Sequence, residues 1–388
     1  MIYFDNAATT FHKPESVYKA VNKAIKELSA NPGRSGHNLS LKAAETVYET
    51  RVKVANFFGA NSYENVVFTQ NCTMSINMCM RGLLNRGEHF IISDLEHNSV
   101  LRTAVDIKRQ GIEFDIFEFD YNVEKTLNNI KSLIKQNTKA IICTNGSNVF
   151  GIKLHIKEIG NLCKNNRIKF IVDAAQTAGV IDINMNSDNI DYLCIAPHKG
   201  LYSPMGLGIL ITDNLPLPHV TGGTGSSSAL SEQPEYLPDK YESGTINVPA
   251  IAGLNAGIEF VEKNKNYIYQ KEMNIINYIY NELSKMRNIT LYNKPDLPVL
   301  SFNVDGFTAD EVGNYLNENQ VYVRTGLHCA PLAHKKFKTQ GRGTVRVSVS
   351  YFNTMNEANE FINLIKKFWV FNRVLFVYSV KNFTKNTP

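Results

Sequence analysis

The apolar positions of this chain fall into two regimes. From about residue 45 to 215, short apolar runs alternate with longer stretches of helical spacing. Val66-Val67-Phe68, Phe90-Ile91-Ile92, Phe114 to Phe117, Ala140 to Cys143, Phe170-Ile171-Val172, Tyr192 to Ala196 and Gly208 to Ile211 predict strands. They are almost continuously apolar, as strands buried on both faces must be. The intervening stretches, such as Val123 to Gln136, carry helical spacing. Alternation of this kind predicts an α/β fold, a mostly parallel sheet with helices on both sides.

Beyond about residue 215 the pattern changes. Thr221 to Ser228 is a Gly/Ser-rich loop, and a long helical stretch follows from about Pro249 to Met286. Val299 to Val304, Val321 to Val323 and Thr344 to Val349 predict further strands, with helices over Thr308 to Asn319 and Asn356 to Phe368. This is the pattern of a smaller α+β domain. The expected division is a large domain over residues 15–250, a small one built from 1–14 and 251–368, and an unassigned tail over 369–388.

Composition narrows the class only modestly. A chain of 388 residues with a formal net charge of +5 has no block of like charge that would mark a nucleic-acid tail. Six cysteines occur without a C-x-x-C pair, so zinc and thioredoxin-like chemistry are poorly supported. The opening residues lack the basic and apolar regions of a secretory signal. A reducing cytoplasm is the expected location. The longest apolar stretch, Phe368 to Val380, is interrupted by Asn372 and Arg373 and is too short to cross a membrane.

The chemistry concentrates at predicted strand ends, where open α/β sheets bind ligands. One strand ends in Asp173, and a later one leads into Pro197-His198-Lys199-Gly200. A carboxylate and a lysine in this order suit pyridoxal 5'-phosphate (PLP). The amine forms a Schiff base, and the carboxylate keeps the ring nitrogen protonated so that the ring acts as an electron sink. Taken singly, each is also an ordinary surface lysine or turn residue. Phe68 to Thr73 leads from a strand into a helix expected near Met74, whose first amides suit a phosphate, with a plain N-cap as the simpler reading. His97 and Asn148 follow other strands; a capping or core histidine is the simpler reading of the first, and an Asn-Gly-Ser turn explains the second equally well.

A second informative segment is Arg324-Thr325-Gly326-Leu327-His328-Cys329-Ala330-Pro331. Arg324 and His328 would favour a thiolate at Cys329, although a structural thiol is the default for a lone cysteine. Arg346 lies in an otherwise apolar strand, where its charge demands a partner; a bidentate carboxylate is the natural one.

These motifs together resemble the class V aminotransferase-like PLP enzymes, and among them the cysteine desulfurases. The match runs from Tyr3-Phe4-Asp5-Asn6-Ala7-Ala8-Thr9-Thr10 to about Phe368. The resemblance implies a PLP-dependent transferase of fold type I, with a sheet of the seven-stranded type. It implies that Lys199 is the Schiff-base lysine, that Asp173 holds the ring nitrogen and Gln176 the ring hydroxyl, and that His97 stacks on the ring and moves the substrate thiol proton. Thr73, the Cys72 amide and His198 would bind phosphate, joined by Thr245 from a partner subunit of a homodimer. Asn148 and Arg346, beside Arg324, would hold the substrate carboxylate, and Cys329 would accept sulfur from L-cysteine for transfer to a protein or thiol.

The short spacing from Cys329 to Arg346 resembles the group II members, which include selenocysteine lyases, so L-selenocysteine is the alternative substrate. A catalytically idle scaffold of the same fold is the alternative from a different class. An aminotransferase would leave Cys329 without a task. Two departures stand out. Ala196 occupies a position where many relatives carry a phosphate-binding Ser, a loss of one hydrogen bond worth about 1 kcal/mol. Pro197 replaces a common Gly.

Overall fold

The computed structural model describes residues 1–33, 35–213 and 217–383. Its larger sheet is built from β2 (Val66–Thr69), β3 (His89–Ser93), β4 (Glu113–Phe117), β5 (Thr138–Thr144), β6 (Lys169–Asp173), β7 (Tyr192–Ile195) and β8 (Gly208–Thr212). A short β1 (Ile2–Tyr3) precedes them and belongs elsewhere. The spatial order is β2-β8-β7-β6-β5-β3-β4. All neighbours pair in parallel except β8, which is antiparallel to both β7 and β2. The expected mostly parallel sheet is therefore present, made mixed by the antiparallel β8.

The apolar runs of the strands serve two cores. Ile91, Ile141, Phe170, Val172, Leu193 and Ile209 face one layer, into which α2 (Asn38–Phe58) and α6 (Ile156–Asn166) pack. Their chain neighbours Phe90, Ile92, Ala140, Ile142, Ile171 and Leu210 face the other, against α3 (Cys72–Leu83) and α4 (Asn98–Lys108). This is the period-2 alternation of a pleated strand, with both faces apolar because helices cover both. The exception is β4, expected to be doubly buried. It is one of the two edge strands, and Glu113 and Ile116 face solvent.

The smaller sheet has the order β12-β13-β10-β9 and is antiparallel, with β9 (Ile289–Leu291), β10 (Val299–Val304), β12 (Arg324–Gly326) and β13 (Thr344–Ser348). β1 pairs in parallel with β11 (Val321–Tyr322). Phe4, Phe302, Val345 and Val347 fill a third core with α8 (Ala309–Glu318). Thr308 and Glu311 cap α8 reciprocally, which fixes its start. The 37-residue α7 (Val248–Ser284) joins both bodies: Val248 to Ile268 pack in the large core, and Ile275 to Leu283 in the small one. The terminal helix α10 runs over Met355–Phe383, well past the expected end at Phe368, because nothing from Trp369 to Phe383 is Gly or Pro. Of the tail over 369–388, residues 384–388 lie outside the described residues.

One crossing sets the position of Lys199. Gly179 has φ +84°, and a Cβ there would lie 2.4 Å from the Gly200 carbonyl; a Cβ on Gly200 would lie 2.4 Å from the Ala178 carbonyl. The segment after β6 and the lysine turn after β7 thus pass backbone against backbone. Gly179→Ala combines strain at positive φ with a main-chain clash, so a loss of about 1–3 kcal/mol is expected, read as a lower urea midpoint. An unchanged midpoint would show that the crossing relaxes freely.

Candidate active site

The carboxyl ends of the central strands and the edge of the smaller sheet enclose a cavity of about 210 Å³. Asp173 ends β6, Lys199 lies in the turn after β7, and His97 follows β3. Cys72, Thr73, Gln176, Asn148, His198, Arg324 and Arg346 share the same walls, as does Ala196. The fold therefore gathers most residues singled out in the sequence. Cys329 and Thr245 stand outside this cavity. Cys329 is exposed in an adjoining cleft that shares Arg324 and His328 with it. Thr245 is exposed against Phe68 to Gln70 and α3 of its own chain.

Burial governs the chemistry of the lysine. It pushes the Lys199 amine down to about 8, opposed by the negative charge of Asp173. Asp173 is itself buried, accepting from the Ala175 amide at 2.9 Å and from the Cys72 thiol at 3.7 Å. Burial, then the nearby Asp173, drives the Cys72 thiol well up, so it stays a neutral donor.

α3 begins at Cys72, two residues earlier than expected. Its N-cap is Asn71, whose side chain accepts from the Met74 amide at 2.9 Å. Cys72 and Thr73 are consequently the first two helical residues, whose amides have no partner within the helix, and both residues line the cavity. His97 both caps and lines: its Nδ1 accepts from the Ser99 amide at 3.1 Å, which leaves the proton of the neutral ring on Nε2. Burial lowers its pKa, and that of His198 falls to about 4 for the same reason.

The opening motif is what ties these parts together. Thr10 Oγ1 donates to the main-chain carbonyls of His198 and Lys199 at 3.0 and 3.1 Å, and the His198 ring meets Thr9 Oγ1 at 3.0 Å. Gln176 Nε2 donates to the Ala7 carbonyl at 3.0 Å. Asn6 reaches Ser348 and Asn353 in the smaller core. Asp5 pairs with the fully buried Arg346, whose Nη1 also donates to the Asn148 carbonyl at 2.9 Å. The carboxylate that the Arg346 charge demanded is thus supplied within the chain, by a residue whose role the sequence did not reveal. Its signal was present in the Asp5-to-Thr10 motif.

Asn148 has a second connection. Its Nδ2 donates to the His328 carbonyl at 2.7 Å, while its Oδ1 is buried without a partner. His328 and Cys329 both adopt left-handed backbone, φ 47° and 58°. That strained turn is pinned by Asn148, by the Asn98 amide on the Cys329 carbonyl at 2.7 Å, and by the His328 ring on Thr344. Burial pushes His328 down to about 2, so it is a neutral anchor. Arg324 Nη2 lies 3.8 Å from the Cys329 sulfur, the only one of the six cysteines that is exposed.

Glu96 was not singled out from the sequence. It is fully buried, accepts from Ser93 Oγ and from the Thr144 amide, and is pushed up to about 8 by burial. It therefore ties the His97 loop to the end of β5 as a neutral acid.

A lysine amine and a carboxylate from neighbouring strand ends, an open helix N-terminus and a buried arginine in one cavity define an α/β enzyme of the PLP fold type I class. The Aminotransferase class-V family model matches residues 2–361, and the chain belongs to that family. A probable cysteine desulfurase of Methanothermobacter thermautotrophicus is 31% identical over 92% of each chain. A cysteine desulfurase of Escherichia coli is 28% identical, covering 95% of this chain and 93% of its own. The apo structure of the cysteine desulfurase from Thermococcus onnurineus superposes with a TM-score of 0.87 at 30% identity, covering 95% of this chain and 94% of that one.

The lowered Lys199 pKa makes a linkage prediction. An unfolded lysine holds its proton up to about 10.5 and the folded one only to about 8, so burial costs stability below pH 8 and the cost is relieved between 8 and 10.5. In protein without cofactor, Lys199→Met is expected to be more stable than the parent by a few kcal/mol at pH 7, with the difference closing by pH 10.5. Urea titrations at the two pH values measure it; a pH-independent difference would place Lys199 in contact with water.

Proposed function

We infer that the protein is a homodimeric, PLP-dependent cysteine desulfurase that converts L-cysteine to L-alanine and carries the sulfur as a persulfide on Cys329. The observation that carries this reading is the pairing of two adjoining spaces. One holds Lys199, Asp173 and Arg346; the other exposes Cys329, with Arg324 and His328 lining both. The cysteine desulfurase relatives extend over almost the whole chain, which supports the same activity. We take residues 15–250 as the large domain and 1–14 with 251–368 as the small one, with α7 crossing between them, and the location as cytoplasmic.

The donor set fits PLP. Lys199 would hold it covalently and Asp173 would face its ring nitrogen, with Gln176 at the ring hydroxyl and His97 over the ring face. The Cys72 and Thr73 amides, Thr73 Oγ1 and His198 would take the phosphate, joined by Thr245 of the other subunit. Ala196 in the lining offers no hydroxyl, so the phosphate would have one donor fewer there. When bound, the cofactor supplies an electron sink that weakens bonds at the substrate α and β carbons.

The chain's own residues do the rest. Arg346 and Arg324 hold the substrate carboxylate, joined by the second Nδ2 proton of Asn148, whose first goes to the His328 carbonyl. Lys199, neutral near pH 8, takes and returns protons at Nζ. The Cys329 thiolate forms an S–S bond to the substrate sulfur as the Cβ–S bond breaks, and Cβ takes up a proton. The net change is one cysteine and the Cys329 thiol to one alanine and the Cys329 persulfide. The short, pinned turn around Cys329 supports a group II type of enzyme.

Two experiments test this. Borohydride is expected to abolish the near-visible absorbance of the purified protein and leave a reduced cofactor adduct on the peptide containing Lys199. Cys329→Ala should retain that absorbance yet release almost no alanine from L-cysteine and carry no persulfide. Parental alanine release by this variant would make Cys329 a structural thiol. For assembly, light scattering is expected to report a dimer, and Thr245→Ala to lose cofactor faster on dialysis; an active monomer would remove Thr245 from the site.

A further inference from the structure

The cleft in front of Cys329 is about 760 Å³ and open to solvent. One wall is a face of α4, carrying Asn98, Leu101, Arg102 and Val105, continued by its C-terminal cap residue Arg109 at helical spacing. The other wall is Arg324 to Cys329, ending at Pro331. Its charge is one-sided. Arg102 and Arg109 are exposed, and Arg324 lies beside the sulfur. The one acid in the lining, Asp106, is already committed: Arg81 holds it by an ion pair that keeps its carboxyl below the usual range, and Arg109 stands 3.9 Å away. Asp310 accepts from Thr325 Oγ1 at 2.6 Å but does not line the cleft.

Apolar contact is available between the charges. Val105 is 47% exposed and Leu327 42% exposed. Arg102 and Arg109 are two helical turns apart on one face, so they set out a row of positive charge about 10 Å long leading to the thiol. A row of this length suits an extended segment better than a compact molecule. Arginine rows flanking exposed apolar side chains are also typical of protein-binding surfaces.

We propose that this cleft is the docking surface for an acidic, cysteine-bearing segment of the protein that collects sulfur from Cys329. The proposal rests on the desulfurase reading and adds the chemistry of the acceptor. Opposite charge would raise the encounter rate and orient the incoming thiol towards the persulfide. The transfer is a thiolate attack on the outer persulfide sulfur: a new S–S bond forms on the acceptor, and Cys329 leaves as a thiolate.

The test uses PLP-loaded enzyme with L-cysteine and three acceptors: a synthetic peptide with one cysteine flanked by glutamates, the same peptide with lysines, and dithiothreitol. Persulfide on the peptides is read by mass spectrometry, and alanine is measured in parallel. At low ionic strength the acidic peptide is expected to be loaded about tenfold faster than the basic one, with the ratio shrinking as salt is added. The double variant Arg102→Glu/Arg109→Glu should abolish or invert that ratio while alanine release with dithiothreitol stays at the parental rate. Equal loading of the two peptides, or a parental ratio in the variant, would overturn the proposal; the first result would point to a small neutral thiol as acceptor.

A fluorescent acidic peptide with serine in place of its cysteine keeps the proposal separable from turnover. It should bind the parent protein more tightly than the double variant by anisotropy. Absence of alanine with every acceptor, together with intact peptide binding, would count against the desulfurase reading and leave the docking surface standing.

Discussion

Arg346 is a full positive charge with almost no contact with water, and the site is arranged around that fact. Such a group costs several kcal/mol unless ion pairing and hydrogen bonds replace its hydration. Its partners come from distant parts of the chain: Asp5 from the N-terminal segment and the Asn148 carbonyl from the loop after β5. Pairing the two terminal nitrogens of one guanidinium, while Nε stays without a partner, therefore docks the first residues of the protein on the smaller sheet and brings the larger sheet against both. From there Thr9 and Thr10 reach the lysine turn, and Asn148 reaches the cysteine turn. The cavity is the space left where these three segments meet.

The same arrangement sorts the residues by task. Asp173, Lys199, His97 and the start of α3 are carried by the larger sheet, whose strand ends are fixed by two apolar cores. Arg324, His328, Cys329 and Arg346 belong to the smaller sheet and its connections. The lysine–carboxylate pair and the exposed thiol thus sit on separate supports. The single rod of α7, packed into both cores, sets their spacing.

The strands of the large sheet were legible because burial on both faces leaves an unbroken apolar run. Their order was not, since the antiparallel placement of β8 depends on contacts that no local pattern records. β12 escaped notice because Arg324-Thr325-Gly326 is too short and too polar to show alternation, and the extension of α10 because helix-compatible residues carry no stop signal. The grouping of Lys199 with Asp173 at adjacent strand ends was readable from motif and strand position, as was the nearness of Cys329 to Arg324 and His328. The Asp5–Arg346 pair was only half readable: an arginine in an apolar strand announces that it needs a carboxylate, but sequence alone does not say which one lies 341 positions away. His97 shows a different limit. Capping and cavity lining were weighed as alternatives, and one side chain does both, with Nδ1 on its own helix and the rest of the ring at the cavity.

The distribution of thiols has a consequence for how the molecule can be followed. Cys72, Cys79, Cys143, Cys163 and Cys194 are buried, and burial drives four of them, Cys72, Cys143, Cys163 and Cys194, away from the reactive thiolate form. Under the proposed function, sulfur received at the exposed Cys329 would have no accessible internal thiol to migrate to and would remain at the surface until an outside acceptor arrived. The same partition makes the chain its own gauge of integrity: a bulky alkylating reagent marks one position in the native protein, and every further adduct counts molecules whose core has opened.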